Sequence, residues 1–197
     1  VDSYARIYEL SGSRMQVLPA RHSLSIVGSD KNLLIKQDTV SYIACQSPVI
    51  SGRWYVPATV TSHDGGGRVQ STKEILIRDD YGNPIEIVTN HSEHVIYLWG
   101  YYGQRLVAQI KGATYVEVEN ALGTSPVSLS QLFSPVSTIS GLQARLPGAQ
   151  VYTYTYHPYA GVDSETALNG QTTCYDYDAK GRLVKSYRTG ENGKQET

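Results

Sequence analysis

The sequence predicts a mainly β protein, an antiparallel β meander of hairpin repeats with a small helical insert. The phrase Tyr175-x-Tyr177-Asp178-x-x-Gly181-Arg182-Leu183 has weaker copies upstream. Tyr154-x-Tyr156 precedes Gly161, Tyr97-x-Trp99 precedes Gly103-Gln104-Arg105-Leu106, and Asp79-Asp80-Tyr81-Gly82 keeps the turn half alone. Gly82 and Gly103 stand 21 residues apart, Gly161 and Gly181 stand 20 apart. A period of that size marks units that bury their apolar face only against neighbours. Turn signals also punctuate short β-compatible runs throughout the chain.

Residues 1–74 form a β-rich region without the phrase. Strands are expected at Tyr4–Leu10, Leu24–Val27, Asn32–Cys45, Arg53–Ser62 and Val69–Arg78. Gly12, Gly28-Ser29-Asp30, Ser51-Gly52 and Asp64-Gly65-Gly66-Gly67 separate them. Leu33, Ile35 and Gln37 alternate with Leu34, Lys36 and Asp38, a strand pattern and a poor helical one. The glycine run lacks the Lys-Ser/Thr and the helix that a phosphate-binding loop requires, so it reads as a flexible hairpin tip.

Residues 75–197 carry the repeats. Turns near Asn90–Glu93 and Gly100–Gly103 divide 84–110 into strands. The order then breaks, because Gly103 and Gly161 stand 58 residues apart. The excess, at about 112–148, has helical periodicity. Thr114-Tyr115-Val116-Glu117 has the form of a capping box, followed by Val116, Val118, Ala121 and Leu122 as an apolar stripe. Ser137 or Ser140 is placed to cap a second helix carrying Ile139, Leu142 and Leu146, stopped by Pro147-Gly148. Residues 124–136 read as loop or one short turn. The insert serves either as packing on the sheet or as a partner-docking element.

Strands follow at 150–156, 162–168, 171–177 and 182–187, with Asn169-Gly170 as a two-residue hairpin turn. Asp178 and Gly181 occupy the first and fourth places of a type I turn, and glycine accepts the left-handed geometry that comes next. Tyr175 and Tyr177, two apart, share one face of a strand.

Tyr175–Leu183 resembles the YD repeat of Rhs-type proteins, a family that includes bacterial polymorphic-toxin shells and animal teneurins. Asp80–Glu86 and Tyr97–Tyr101 resemble Rhs-repeat proteins of Bacteroides-like gut bacteria in particular, and the similarity covers residues 75–187. The resemblance implies a segment of a long spiralling sheet that can wrap into a shell and is not itself catalytic. It also implies a bacterial cell-surface or secreted parent, whose remaining polypeptide is the first partner. Gly82, Gly103, Gly161, Tyr175, Tyr177, Asp178, Gly181 and Arg182 are then structural repeat residues.

Composition agrees. Sixteen Tyr stand against one Phe and one Met, and tyrosine suits half-buried sheet faces where the ring packs and the hydroxyl meets water. A net charge of −1 gives no global pull on nucleic acid or on a membrane surface. No apolar run is long enough to span a membrane. The chain opens at Val1 without an initiator Met and reads as an excised segment. Such a piece is expected to self-associate through its outer strands, near Val1 and at Arg182–Tyr187.

No catalytic residue, metal or cofactor is assigned. His91-x-x-His94, with Glu93 between, has superficial ligand spacing, but on a strand it sends the rings to opposite faces. Asp163, Asp176 and Asp178 are dispersed at turns, and no Gly-x-Ser-x-Gly elbow appears. Cys45 and Cys174 permit one pairing, although buried free thiols are the preferred reading. The alternative to a scaffold is a carbohydrate- or protein-binding module. Its platform is Tyr97, Trp99, Tyr101 and Tyr102, extended by Tyr152, Tyr154, Tyr156, Tyr159, Tyr175 and Tyr177.

Overall fold

The computed structural model describes residues 2–11, 14–27, 32–46, 48, 54–158, 160–190 and 193–196. The predicted breaks at Gly12, Gly28–Asp30 and Ser51-Gly52 lie outside them. The chain divides into two compact units, Val1–His94 and Val95–Thr197. This is a division by packing, whereas the sequence boundary at 74/75 is one of repeat content.

The first unit holds β1 (Asp2–Ser11), β2 (Arg14–Val27), β3 (Asn32–Cys45), β4 (Trp54–Asp64), β5 (Val69–Arg78) and β6 (Pro84–Thr89), each antiparallel to the next. β2 is longer than its apolar stretch predicts. Leu18, Val56, Ile85 and Val88 are buried here.

In the second unit, β7 (Glu93–Gly100, starting at the junction) pairs with β8 (Arg105–Lys111), and β8 with β9 (Gln150–Tyr156). β10 (Val162–Thr166), β11 (Thr172–Tyr177), β12 (Leu183–Gly190) and β13 (Gly193–Glu196) follow in antiparallel order. The antiparallel meander is therefore the fold. β13 pairs with the end of β12, along Tyr187–Gly190, so the edge that the sequence reading placed at Arg182–Tyr187 is covered by it at Tyr187. The terminal strand after the last phrase carried no repeat signal.

The Asp-x-x-Gly turn is built three times with the same bonds, at Asp64–Arg68, Asp79–Asn83 and Asp178–Arg182. The first residue's N–H donates to the fifth residue's carbonyl at 2.9–3.0 Å, and the glycine N–H returns to the first carbonyl at 2.9–3.0 Å. The Asp Oδ1 accepts two more amides in each turn. These are Gly66 and Arg68 at Asp64, Tyr81 and Asn83 at Asp79, and Lys180 and Arg182 at Asp178. Gly67, Gly82 and Gly181 have φ of 82°, 86° and 72°, the left-handed region that favours glycine. The glycine run after Asp64 is thus an ordered copy of the repeat turn rather than a flexible tip. Asn169-Gly170 is not a two-residue turn either. Gly170 N–H bonds to Ala167 O and Ala167 N–H to Gln171 O, which makes the same five-residue turn without its aspartate.

At Asp178 the Arg182 amide, and after it the Arg182 guanidinium, hold the carboxyl below the ordinary carboxylate range, partly opposed by burial. A depressed folded-state value means that the ionised turn contributes stability above the unfolded value and loses it as pH falls through the folded one. A carboxyl-carbon NMR titration should place the Asp178 midpoint below the ordinary aspartate value, rising in Arg182→Ala. A midpoint unmoved by Arg182→Ala would refute the guanidinium's share and leave the backbone amides as the cause.

The insert contains α1 (Tyr115–Leu122) and three single turns, α2 (Pro126–Leu129), α3 (Val136–Ile139) and α4 (Leu142–Arg145). α1 has the predicted capping box: the Glu117 amide donates to Thr114 Oγ1 at 3.4 Å, and the Thr114 amide to Glu117 Oε2 at 2.8 Å. Val118 and Leu122 are buried, but Val116 points outward at 61% exposure. The second predicted helix is two turns, because Gly141 adopts a φ of 68° between them. Neither Ser137 nor Ser140 caps it. Ser137 lies within α3 and Ser140 ends it.

The insert packs on one face of the second unit's strands. Ile96, Leu98 and Ile110 on that face are wholly buried, α4 lies against β9, and Gln143 Oε1 accepts the Val151 amide at 3.0 Å. Arg145 ties the insert together, donating to the carbonyls of Ala121, Thr138 and Ser140 at 2.7–3.0 Å.

Candidate functional site

The polar residues that invite a catalytic reading have separate structural partners. Asn90 and His91 are both left-handed, at φ 51° and 60°, and this tight turn parts the histidine pair. His91 Nδ1 lies 3.1 Å from Glu74 Oε1, while His94 Nδ1 lies 2.8 Å from Glu86 Oε1, a carboxylate only 7% exposed. No cluster of three metal-ligating side chains exists among the described residues. Asp163 accepts from Thr155 Oγ1 at 3.2 Å. Cys45 and Cys174 are free thiols and half-buried rather than buried. A half-open cavity of about 340 Å³ is lined by residues of α3, α4, β9 and β10, with Ile139, Leu142, Thr153, Thr155 and Thr166 among its walls and no titratable side chain. Among the described residues, no helix is long and apolar enough to cross a membrane.

The tyrosines of the phrase act through their hydroxyls. Tyr156 on β9 donates to Leu106 O on β8 at 2.6 Å, and Tyr177 on β11 repeats the bond to Val162 O on β10 at 2.8 Å. Each ties its strand to the one before. Burial, then the nearby Glu165 carboxylate, raises the phenol pKa of Tyr154 and Tyr175. Gly161 matters for a reason the sequence did not reveal. It is not left-handed, but a Cβ there would lie 2.7 Å from Tyr177 Oη.

The four proposed platform rings separate. Tyr97 and Trp99 alternate with buried Ile96, Leu98 and Gly100 along β7, and both are half-buried on its opposite face. Gln109 Nε2 donates to Tyr97 Oη at 3.4 Å. Tyr101 and Tyr102 stand in the next turn with Gly103, at φ of 55°, 58° and 73°. The insert holds this left-handed run: Gly103 N–H donates to Ser130 O at 2.8 Å and Tyr102 N–H to Leu132 O at 3.3 Å.

A ring cluster forms around that turn. Tyr101 meets Phe133 and Tyr156 edge-on, with ring centres 5.7 Å apart in both pairs. The Arg105 guanidinium lies 4.7 Å from the centre of Tyr156 and 5.9 Å from that of Tyr101. Tyr102 stands 6.1 Å from Phe133, the planes 47° apart. The sequence reading missed Phe133 and had Arg105 only as part of the repeat phrase. The available signal was a sole phenylalanine in a Ser/Pro-rich loop. Tyr159 lies outside the described residues.

No family profile matches the chain, and no curated protein is similar to it. Two solved structures are similar in outline. One is a Photorhabdus luminescens Tc holotoxin pore with a mutated TccC3 component, at 11% identity and a TM-score of 0.40 over 90% of this chain and 8% of that one. The other is the crystal structure of TcdB2-TccC3-TEV, at 10% identity and a TM-score of 0.42 over 91% of this chain and 9% of that one. The chain spans less than a tenth of the length of either.

Proposed function

We propose that this chain is a non-catalytic structural segment of a larger Rhs-type, YD-repeat protein of a bacterial surface or secretome, continuing a β-spiral scaffold or shell. The observation that carries the reading is the turn built three times with the same carboxylate-to-amide bonds, at Asp64, Asp79 and Asp178. A side chain consumed identically at three turns positions a chain and is not held for a substrate. The paired tyrosine latches at Tyr156 and Tyr177 support the same conclusion. Its partner is the remainder of the parent polypeptide, reached through strands at the ends of the meander, and no cofactor takes part.

Two measurements test this. A broad hydrolase screen of the purified protein should detect no turnover, and a turnover abolished by His94→Gln with the fold intact by circular dichroism would overturn the reading. Light scattering should show self-association that grows with concentration, as unpaired strand edges dictate. A strict monomer at high concentration would count against continuation through the edges.

A further inference from the structure

Tyr152, Tyr154 and Tyr156 share one face of β9, the face opposite buried Val151. The outer two rings are already covered by cations of the chain itself. Lys111 Nζ lies 5.6 Å from the ring centre of Tyr152, and the Arg105 guanidinium lies 4.7 Å from that of Tyr156. Among the described residues no cation covers Tyr154. It stands directly across from Glu165 on β10. On its other side Glu165 pairs with Thr173, two residues before Tyr175 on β11, so the carboxylate stands between two rings on one sheet face. Its charge acts on both phenols, second to burial in raising the pKa of each. Glu165 is half-buried, and among the described residues its carboxylate makes no ion pair or hydrogen bond. Arg188, in the same row on β12, is exposed and makes no ion pair with it. A carboxylate partly withdrawn from water costs free energy that a bound cation offsets.

We propose that Tyr154, Glu165 and Tyr175 form a recognition site for a quaternary ammonium group, the trimethylammonium of choline-type molecules. The two rings would face its methyl groups, and the carboxylate would balance its charge. This inference goes beyond the scaffold reading and does not depend on it. The spacing fits. Strands two apart are separated by about 9.5 Å and the two-residue offset extends this to about 12 Å, so a cation midway lies about 6 Å from each tyrosine, the reach of a cation–π contact. Chemistry selects the class. A metal ion requires several oxygen ligands, and the site holds one carboxylate. A primary ammonium is strongly hydrated and brings three donors, more than one carboxylate satisfies. A trimethylammonium brings none, so binding strands no donor.

Calorimetric titration of the full chain with choline, at constant ionic strength, should show saturable binding with a dissociation constant of about 5 mM or tighter. The uncharged isostere of choline, with carbon in place of nitrogen, should bind about tenfold more weakly or worse. Tyr154→Phe should retain binding because the ring remains, whereas Tyr154→Leu should weaken it about tenfold. Glu165→Gln should weaken it about fivefold. That variant keeps the shape of the side chain, so it carries the test even where Tyr154→Leu lowers stability. Leu183→Ala, at an exposed apolar residue on β12, should change nothing. Phosphatidylcholine vesicles present the same group. Co-sedimentation displaced by choline would extend the site to the lipid headgroup, and choline binding without it would assign the site to the free molecule. Absence of saturation by about 50 mM choline, equal binding of the carbon isostere, or binding unchanged in both Tyr154→Leu and Glu165→Gln would overturn the proposal.

Discussion

Replacing Gly100 with valine is expected to unseat the helical insert from the sheet. Gly100 ends β7 on its buried face, and a Cβ there would lie 2.5 Å from Pro135 Cγ, 2.7 Å from Pro135 Cδ and 3.2 Å from Val107 Cγ1. Pro135 is itself fully buried, and its ring has no rotamer that would clear the space. Valine suits a strand, so the cost falls on packing and not on backbone preference. Either β7 shifts or the 130–135 segment lifts, and lifting breaks the bonds that Ser130 and Leu132 make to the Tyr101–Gly103 turn. Overpacking of this kind costs about 1–3 kcal/mol, which in a chain of this size lowers the melting temperature by roughly 2–12 °C. Limited proteolysis should then cut first within 112–148. An unchanged melting curve with the insert protected would show that Pro135 does not bear on Gly100 in solution.

The parts of this fold legible in the sequence are those fixed by local chemistry. Gly82 and Gly181 announce left-handed turns, Thr114 and Glu117 announce the start of α1, and Asn32–Cys45 and Val69–Arg78 emerge at their expected bounds. The turn at Asp64 was hidden because no tyrosine pair precedes it, although its bonds match the other copies. Asn169-Gly170 carried the strongest short hairpin signal, yet pairing of Thr166 with Thr172 leaves five residues in the loop. Register overrode local preference there. Tyr101 and Tyr102 were legible as aromatic residues but not as strained ones, because the carbonyls that hold them lie about 30 residues away on the insert. The ring cluster was invisible for the same reason. Phe133 belongs to a stretch whose composition reads only as loop, and tertiary packing brings it to Tyr101.

The second large effect is expected at Asp79, and it separates two copies of one motif by their burial. Asp79 is only 4% exposed. Its Oδ1 accepts the Tyr81 and Asn83 amides at 3.0 and 2.8 Å, and its Oδ2 accepts Asn83 Nδ2 at 3.0 Å. Trp54 closes the turn from above, its Nε1 lying 3.1 Å from where a Gly82 Cβ would be. Water has little access to replace the carboxylate. Asp79→Ala therefore strands two backbone donors at about 1–3 kcal/mol each, a total of roughly 2–6 kcal/mol and a fall of roughly 4–24 °C in melting temperature. Asp79→Asn keeps the Oδ1 acceptor and loses only the bond to Asn83 Nδ2, so it should fall less. Asp178→Ala removes the same two amide bonds, with an ion pair to Arg182 in place of the Asn83 contact. The carboxylate of that turn is 24% exposed and its Arg182 partner 72%, so solvent re-forms the bonds, and this variant should fall least of the three. Chemical denaturation of the three variants gives the order directly. If Asp178→Ala proved as damaging as Asp79→Ala, burial would not be what gives these turns their different weights, and the shared carboxylate geometry alone would have to account for both.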